Sequence, residues 1–222
     1  MIDLPRTKIA TKADEIIRSL ESEARTALFY KELCIVLGED KNLLCKITKR
    51  NSTSAFNLIQ IGTCHNLIMC LNRIWDKADS NRKSLCKLIE LFQKHDWLSE
   101  YYIDDAKTWP GCPENNQHKI KKYIKAAKEE YQKFREIDFE EPLKALTEFR
   151  NNHLAHKLDR KTDTSFNYGH LYNMTDKTYE IIDILYLCIT GISTCFADDE
   201  DSYQKIYKKS AEAFGKDLAS GL

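Results

Sequence analysis

Asn66-Leu67-Ile68-Met69-Cys70-Leu71-Asn72-Arg73-Ile74-Trp75-Asp76 is the stretch on which the fold class turns. Leu67, Ile68, Met69, Leu71, Ile74 and Trp75 within it, with Phe56, Leu58, Ile59 and Ile61 upstream, are the apolar residues of one long segment. Ser52-Thr53-Ser54 offers N-cap hydroxyls, so a helix is expected from there to about Lys77. Being apolar most of the way round, that helix is expected at the centre of the molecule.

The segments on either side read the same way. Ile9, Ala13, Ile16, Leu20, Ala24, Ala27 and Leu28 recur at three- and four-residue steps, predicting a helix over about Thr7 to Leu37 that Gly38 ends. A short amphipathic piece follows at Leu43 to Ile47, and another helix at about Ser84 to Gln93 turns Leu85, Leu88, Ile89 and Phe92 inward. Residues 95–117 hold Trp109-Pro110-Gly111-Cys112-Pro113 and are expected to be a long loop. Trp97, Tyr101, Tyr102 and Trp109 are expected to pack beneath it, or else to stack bases. Ile120, Ile124, Ala127, Tyr131 and Phe134 then alternate steps of four and three, a strip for helix packing. Pro142 suits the first turn of a new helix or a kink in the old one, and residues 160–168 read as loop. A long helix from about His170 to Phe196 carries Ile181, Ile182, Ile184, Leu185, Leu187, Ile189 and Ile192. Asp198-Asp199-Glu200-Asp201 suits the N-terminus of a last helix over 202–215, within a C-terminal helical extension, 198–222. The expectation is a single all-α domain, an up-and-down bundle of four to five principal helices with additional short ones.

Composition narrows the function classes. The 222 residues include 34 basic and 34 acidic side chains, so a strongly basic nucleic-acid binder is disfavoured and any RNA contact must use a local patch. No run approaches the roughly 20 apolar residues that cross a bilayer, and Met1 to Arg6 is too polar for a secretion signal. A soluble, cytoplasmic protein is expected. Cysteines at 34, 45, 64, 70, 86, 112, 188 and 195 form no Cys-x-x-Cys pair and suit reduced, mostly buried thiols.

Chemistry concentrates in Arg150-Asn151-Asn152-His153-Leu154-Ala155-His156. Positions 143, 146, 150 and 153 share one helical face, where Leu143 and Leu146 give way to Arg150 and His153. A helix that turns polar on its packing face suits a cleft floor or a subunit interface, because an unpaired buried guanidinium costs about several kcal/mol. Arginine holds phosphate and histidine moves protons near neutral pH. The pair therefore suits metal-independent RNA cleavage, in which the ribose 2′-OH attacks phosphorus and leaves a cyclic phosphate. Arg150 would stabilise the phosphoryl charge, His156 would act as acid or base, and Asn151 and His153 would support them. DNA lacks the 2′-OH and is not an expected substrate.

The Arg150-Asn151 and Ala155-His156 pair resembles the signature of the HEPN superfamily. Leu71 to Asp76 in an apolar helix, with Ser84-Leu85 opening a short one, resembles its branch named for bacterial abortive-infection proteins. The resemblance implies a helical bundle and a homodimer with a composite site. It also implies endoribonuclease activity, in phage defence, RNA processing or a toxin–antitoxin system with a cognate partner. By this resemblance Arg150 and His156 match the essential pair and Asn151 the polar follower. Toxins paired with nucleotidyltransferases often carry a tyrosine two residues past the histidine, where this chain has Leu158.

Other readings stay open. His156, Lys157 and Arg160 also suit a helix C-terminus, and His153, His156 and Asp159 are a minor metal-site alternative; no metal or cofactor is expected. Arg73 and Asp76, three apart, suit an intrahelical ion pair or support for the site, and His65 reads as a core histidine. Lys119, Lys121, Lys122, Lys125 and Lys128 suit a solvated face or RNA attraction, the latter through Lys121, Lys122 and Lys125. The alternative function is a catalytically silent helical module that binds a partner protein, nucleotide or RNA, or an antitoxin-like subunit.

Overall fold

A computed structural model describes residues 4–49, 53–77, 82–154, 168–192 and 202–221. Helices α1 (Leu4–Glu39), α2 (Lys41–Lys49), α3 (Thr53–Trp75), α4 (Leu85–Lys94) and α5 (Asp96–Asp105) are followed by a 3-10 turn at Ala106–Thr108. Next come α6 (Pro113–Lys133), a π-turn at Phe134–Asp138, α7 (Glu140–Leu154), α8 (Tyr168–Thr190) and α9 (Tyr203–Gly221). No strand occurs among the described residues, and the fold is the expected all-α bundle.

The spine of the bundle is α1. Its small and aliphatic stripe, Ala13, Ile16, Ile17, Leu20, Ala24, Ala27 and Leu28, is buried against α3, α8 and α4. Alanines let neighbouring helices approach closely, and each fully buried Leu or Ile contributes about 1.5–3 kcal/mol. On another face α9 lies so near that a Cβ on Gly215 would meet Val36 Cγ1 at 2.6 Å. Arg25, ion-paired with Glu21, also sits 4.4 Å from the Tyr203 ring centroid. The C-terminal helix is thus packed into the bundle, and it runs past the expected residue 215 to Gly221.

Two expectations need correction. The region 95–117 is not one long loop, because α5 occupies Asp96–Asp105 and α6 begins at Pro113. Leu98, Tyr102 and Ala106 recur every four residues and bury completely or nearly so, and Tyr102 Oη donates to the Ala10 carbonyl at 3.2 Å. The Pro-Gly signal marks only the short break at Trp109 to Cys112, where Gly111 has φ +109°. The second concerns α3, which is central only in its C-terminal half. Leu67, Leu71 and Ile74 are fully buried, whereas Leu58, Ile59 and Ile61 are exposed. His65 is exposed too, not a core histidine.

Other details follow the sequence closely. Ser84 caps α4, its Oγ accepting from the Lys87 backbone N–H at 3.2 Å, a bond whose loss costs about 1 kcal/mol. Pro142 lies in the first turn of α7. Gly191, at φ +72°, ends α8 five residues before the expected Phe196, beneath the Trp109 ring. Four of the seven described cysteines are buried, Cys64 is half-buried, and Cys45 and Cys112 are exposed. Residues 160–167, Cys195 and the acidic run 198–201 lie outside the described residues.

Candidate functional site

The arginine-bearing helix is anchored from its own sequence. Glu140 and Glu141 sit in the first turn of α7, where carboxylates favour the positive helix end. Leu146 and Phe149 are buried, and Leu143 is half-buried beside them. At about 100° per residue, position 150 lies about 40° from Leu146, and position 153 lies about 20° to its other side. The backbone register therefore carries both positions along the packing face. The backbone of α7 is described through Leu154, but the side chains of 150–154 and all of 155–167, His156 included, lie outside the described residues.

Phe149 fixes where the arginine-bearing turn meets its neighbour. Its ring meets His65 of α3 edge-on, with centroids 5.1 Å apart. At the other end of α3, Trp75 stacks on Phe134 with centroids 4.1 Å apart, and Phe134 stacks in turn on Phe139, next to the start of α7. Helices α3 and α7 consequently run antiparallel. Trp75 Nε1 donates to Thr178 Oγ1 at 2.8 Å, which ties this aromatic stack to α8.

Between α3, the α6–π-turn segment and α7 opens a cleft of about 1140 Å³. Asn72 and Trp75 line it from α3, Lys128, Gln132 and Arg135 from the α6 side, and Leu143, Thr147 and Glu148 from α7. Four cations and five carboxylates line it, yet most of the carboxylates are engaged. Asp76 pairs with Arg82, Glu129 with Lys125, and Glu140 with Lys144. Besides the exposed Lys77, two cations stand apart. Arg135 Nη1 donates to Tyr131 Oη at 3.0 Å, and Lys128 Nζ donates to Ser99 Oγ at 3.2 Å. Neither makes an ion pair among the described residues. Burial depresses the Lys128 ammonium below its ordinary range, with Asp96 opposing the shift.

The expected site residues do not all converge. Arg73 pairs with Glu23 of α1, not with Asp76. Asp76 lies about 16 Å along α3 from His65, at the end away from the arginine-bearing turn. Lys121, Lys122 and Lys125 are exposed on α6; Lys121 and Lys125 share the stripe that Lys128 and Gln132 continue into the cleft. Tyr102 packs in the core, Trp97 meets Arg6, and Trp109 covers Gly191. Lys128 belongs to the basic run, but its distinct place appears only when the stripe reaches the cleft. Arg135 escaped notice because it follows the strip's last apolar residue, and the π-turn that places it leaves no mark in the periodicity. Among the described residues, no three His, Cys, Asp or Glu side chains cluster as a metal site requires.

A family model, the HEPN-type AbiU2 family, matches residues 10–210, which include the arginine–histidine segment. No curated protein and no solved structure matches the chain.

Proposed function

The chain belongs to the AbiU2 family of HEPN type, associated with abortive infection, and from that premise we propose that it is a metal-independent endoribonuclease. The observation that carries the proposal is the Arg150-Asn151 and Ala155-His156 segment lying inside the matched region, with position 150 on a helix that borders an open cleft. In this mechanism the ribose 2′-OH attacks the adjacent phosphorus. His156 takes or delivers the proton, and Arg150 stabilises the charge gathering on the phosphoryl oxygens. The P–O5′ bond breaks, leaving a 2′,3′-cyclic phosphate and a free 5′-OH. Asn151 and His153 orient the pair.

Two copies form the working unit in this proposal, each bringing an arginine–histidine segment to a shared groove. The uncovered apolar residues of α3 support it. Leu58 is 71% exposed and Ile61 51%, on the face where His65 meets Phe149. The biological setting proposed is phage defence or a toxin–antitoxin system, with RNA as substrate.

Purified protein incubated with mixed cellular RNA, with and without EDTA, tests the chemistry. Cut ends bearing cyclic phosphate in both arms are expected. RNA left intact would reduce the protein to a helical binding module, and cleavage abolished by the chelator would overturn the metal-independent route.

A further inference from the structure

Lys128 and Arg135 sit on the same wall of the α3–α6–α7 cleft, each bonded to a neutral oxygen and neither in an ion pair among the described residues, with Asp96 and Glu136 acting on them only from farther away. Arg135 is exposed and Lys128 half-buried, and a partly buried ammonium without an ion-pair partner costs free energy unless an anion arrives. Lys128 is held by its surroundings as well: its Nζ lies 5.3 Å from the Phe92 ring centroid in addition to its bond to Ser99. Arg135 is braced across the Tyr131 ring, 5.7 Å from its centroid, and placed by a π-turn, a feature often found at functional sites. Both cations are oriented before any ligand comes.

The opposite wall supplies the direction. Leu143 and Thr147 of α7 line the cleft, and position 150 falls one turn beyond them. Outside the cleft, the exposed Lys121 and Lys125 continue the Lys128 stripe away from it. A chain of phosphates laid along α6 would pass Lys121, Lys125, Lys128 and Arg135 in turn. The spacing suits a strand better than a single small anion, since Lys128 and Arg135 are seven residues apart, about 10 Å along the helix. Successive nucleotides of an extended single strand reach that far.

We infer that this intramolecular cleft is a single-strand RNA subsite, in which Lys128 and Arg135 contact phosphates of the strand leading away from the bond to be cut. The inference rests on the endoribonuclease proposal for its direction and substrate, but its test does not need cleavage. Guanidinium and ammonium groups receive the phosphates, and the half-buried Leu143 with Thr147 and Asn72 offers the bases a mixed surface.

The test is fluorescence anisotropy with a labelled 12-nucleotide 2′-O-methyl RNA, which cannot undergo 2′-OH attack. Lys128→Gln and Arg135→Gln are each expected to weaken binding by roughly 5- to 10-fold, and to reduce the slope of log affinity against log salt by about 1. Lys128→Arg restores most of the affinity. Lys209→Gln on α9, exposed and outside the cleft, serves as the equal-charge control and shifts binding less than ~2-fold. Far-UV circular dichroism verifies that each variant is folded. Equal losses in the control and cleft variants would overturn the inference, as would wild-type affinity in Arg135→Gln. ATP or inorganic phosphate binding in the cleft while the RNA does not would assign it to a free anion and also overturn it. Binding that follows the cleft pattern in a protein that never cuts RNA would leave the subsite standing and defeat the nuclease proposal alone.

Discussion

At the scale of single residues, the same side chain means different things in different settings. Arg25, Arg73 and Arg82 are matched by Glu21, Glu23 and Asp76, so they serve the bundle. Lys128 has no such partner, and its lowered ammonium pKa sets a sign. The folded state disfavours the charged form, so the cost stands at neutral pH and is relieved as pH rises from the lowered value towards the ordinary 10.5. Wild type is therefore expected to gain stability relative to Lys128→Met as pH rises towards 10.5, read from urea midpoints. A difference that stays flat with pH contradicts this. Cys64 gives a second prediction. Its bond with Cys34, and secondarily one with Tyr168, pulls the Cys64 thiol below its ordinary range against the effect of burial. Cys34→Ala should raise the pH midpoint for alkylation of Cys64 by iodoacetamide, measured by peptide mass spectrometry. An unmoved midpoint would show that Cys34 does not hold that thiolate.

At the scale of elements, most helices were legible because their apolar residues repeat on one face. The strip from Ile120 to Phe134 and the inward set Leu85, Leu88, Ile89 and Phe92 are buried as read. Helix α5 was hidden by its neighbours, since Trp109-Pro110-Gly111 marks a break only a few residues long and Leu98, Tyr102 and Ala106 were absorbed into it. The π-turn was hidden for a deeper reason: one extra residue in a helical turn changes register without changing composition. Ile137 within it is 73% exposed, so deleting it removes little packing while restoring a regular turn. That deletion should displace α7 relative to α6 and abolish RNA cleavage with helix content retained by circular dichroism. Full activity in the deletion variant would mean the π-turn does not set the register of α7. Trp75 tests the neighbouring stack. Trp75→Ala should cost about 3–5 kcal/mol in urea denaturation, because Phe134, Tyr131 and Thr178 all lose a partner.

At the scale of the whole molecule, the family and helical class were readable from sequence, but the relation between the motif and its surroundings was not. Sequence alone set Asp76 and Arg73 near the motif as candidates, whereas the antiparallel course of α3 and α7 sends Asp76 to the far end. It also brings His65 against Phe149, next to position 150. Beyond that contact α3 leaves Leu58, Ile59 and Ile61 in water, which suits pairing of two copies. Leu58→Glu with Ile61→Glu should sediment as a monomer and lose cleavage while staying helical. A double variant that remains dimeric would place the pairing face elsewhere.

The most direct measurement is the single-turnover cleavage rate of a defined RNA by wild type, Arg150→Ala and His156→Ala, all checked for fold and mass in solution. Both substitutions are expected to lower the rate by at least about 100-fold, with the cyclic phosphate product disappearing in parallel. Cleavage at the wild-type rate in either folded variant would contradict the assignment of the chemistry to this arginine and histidine.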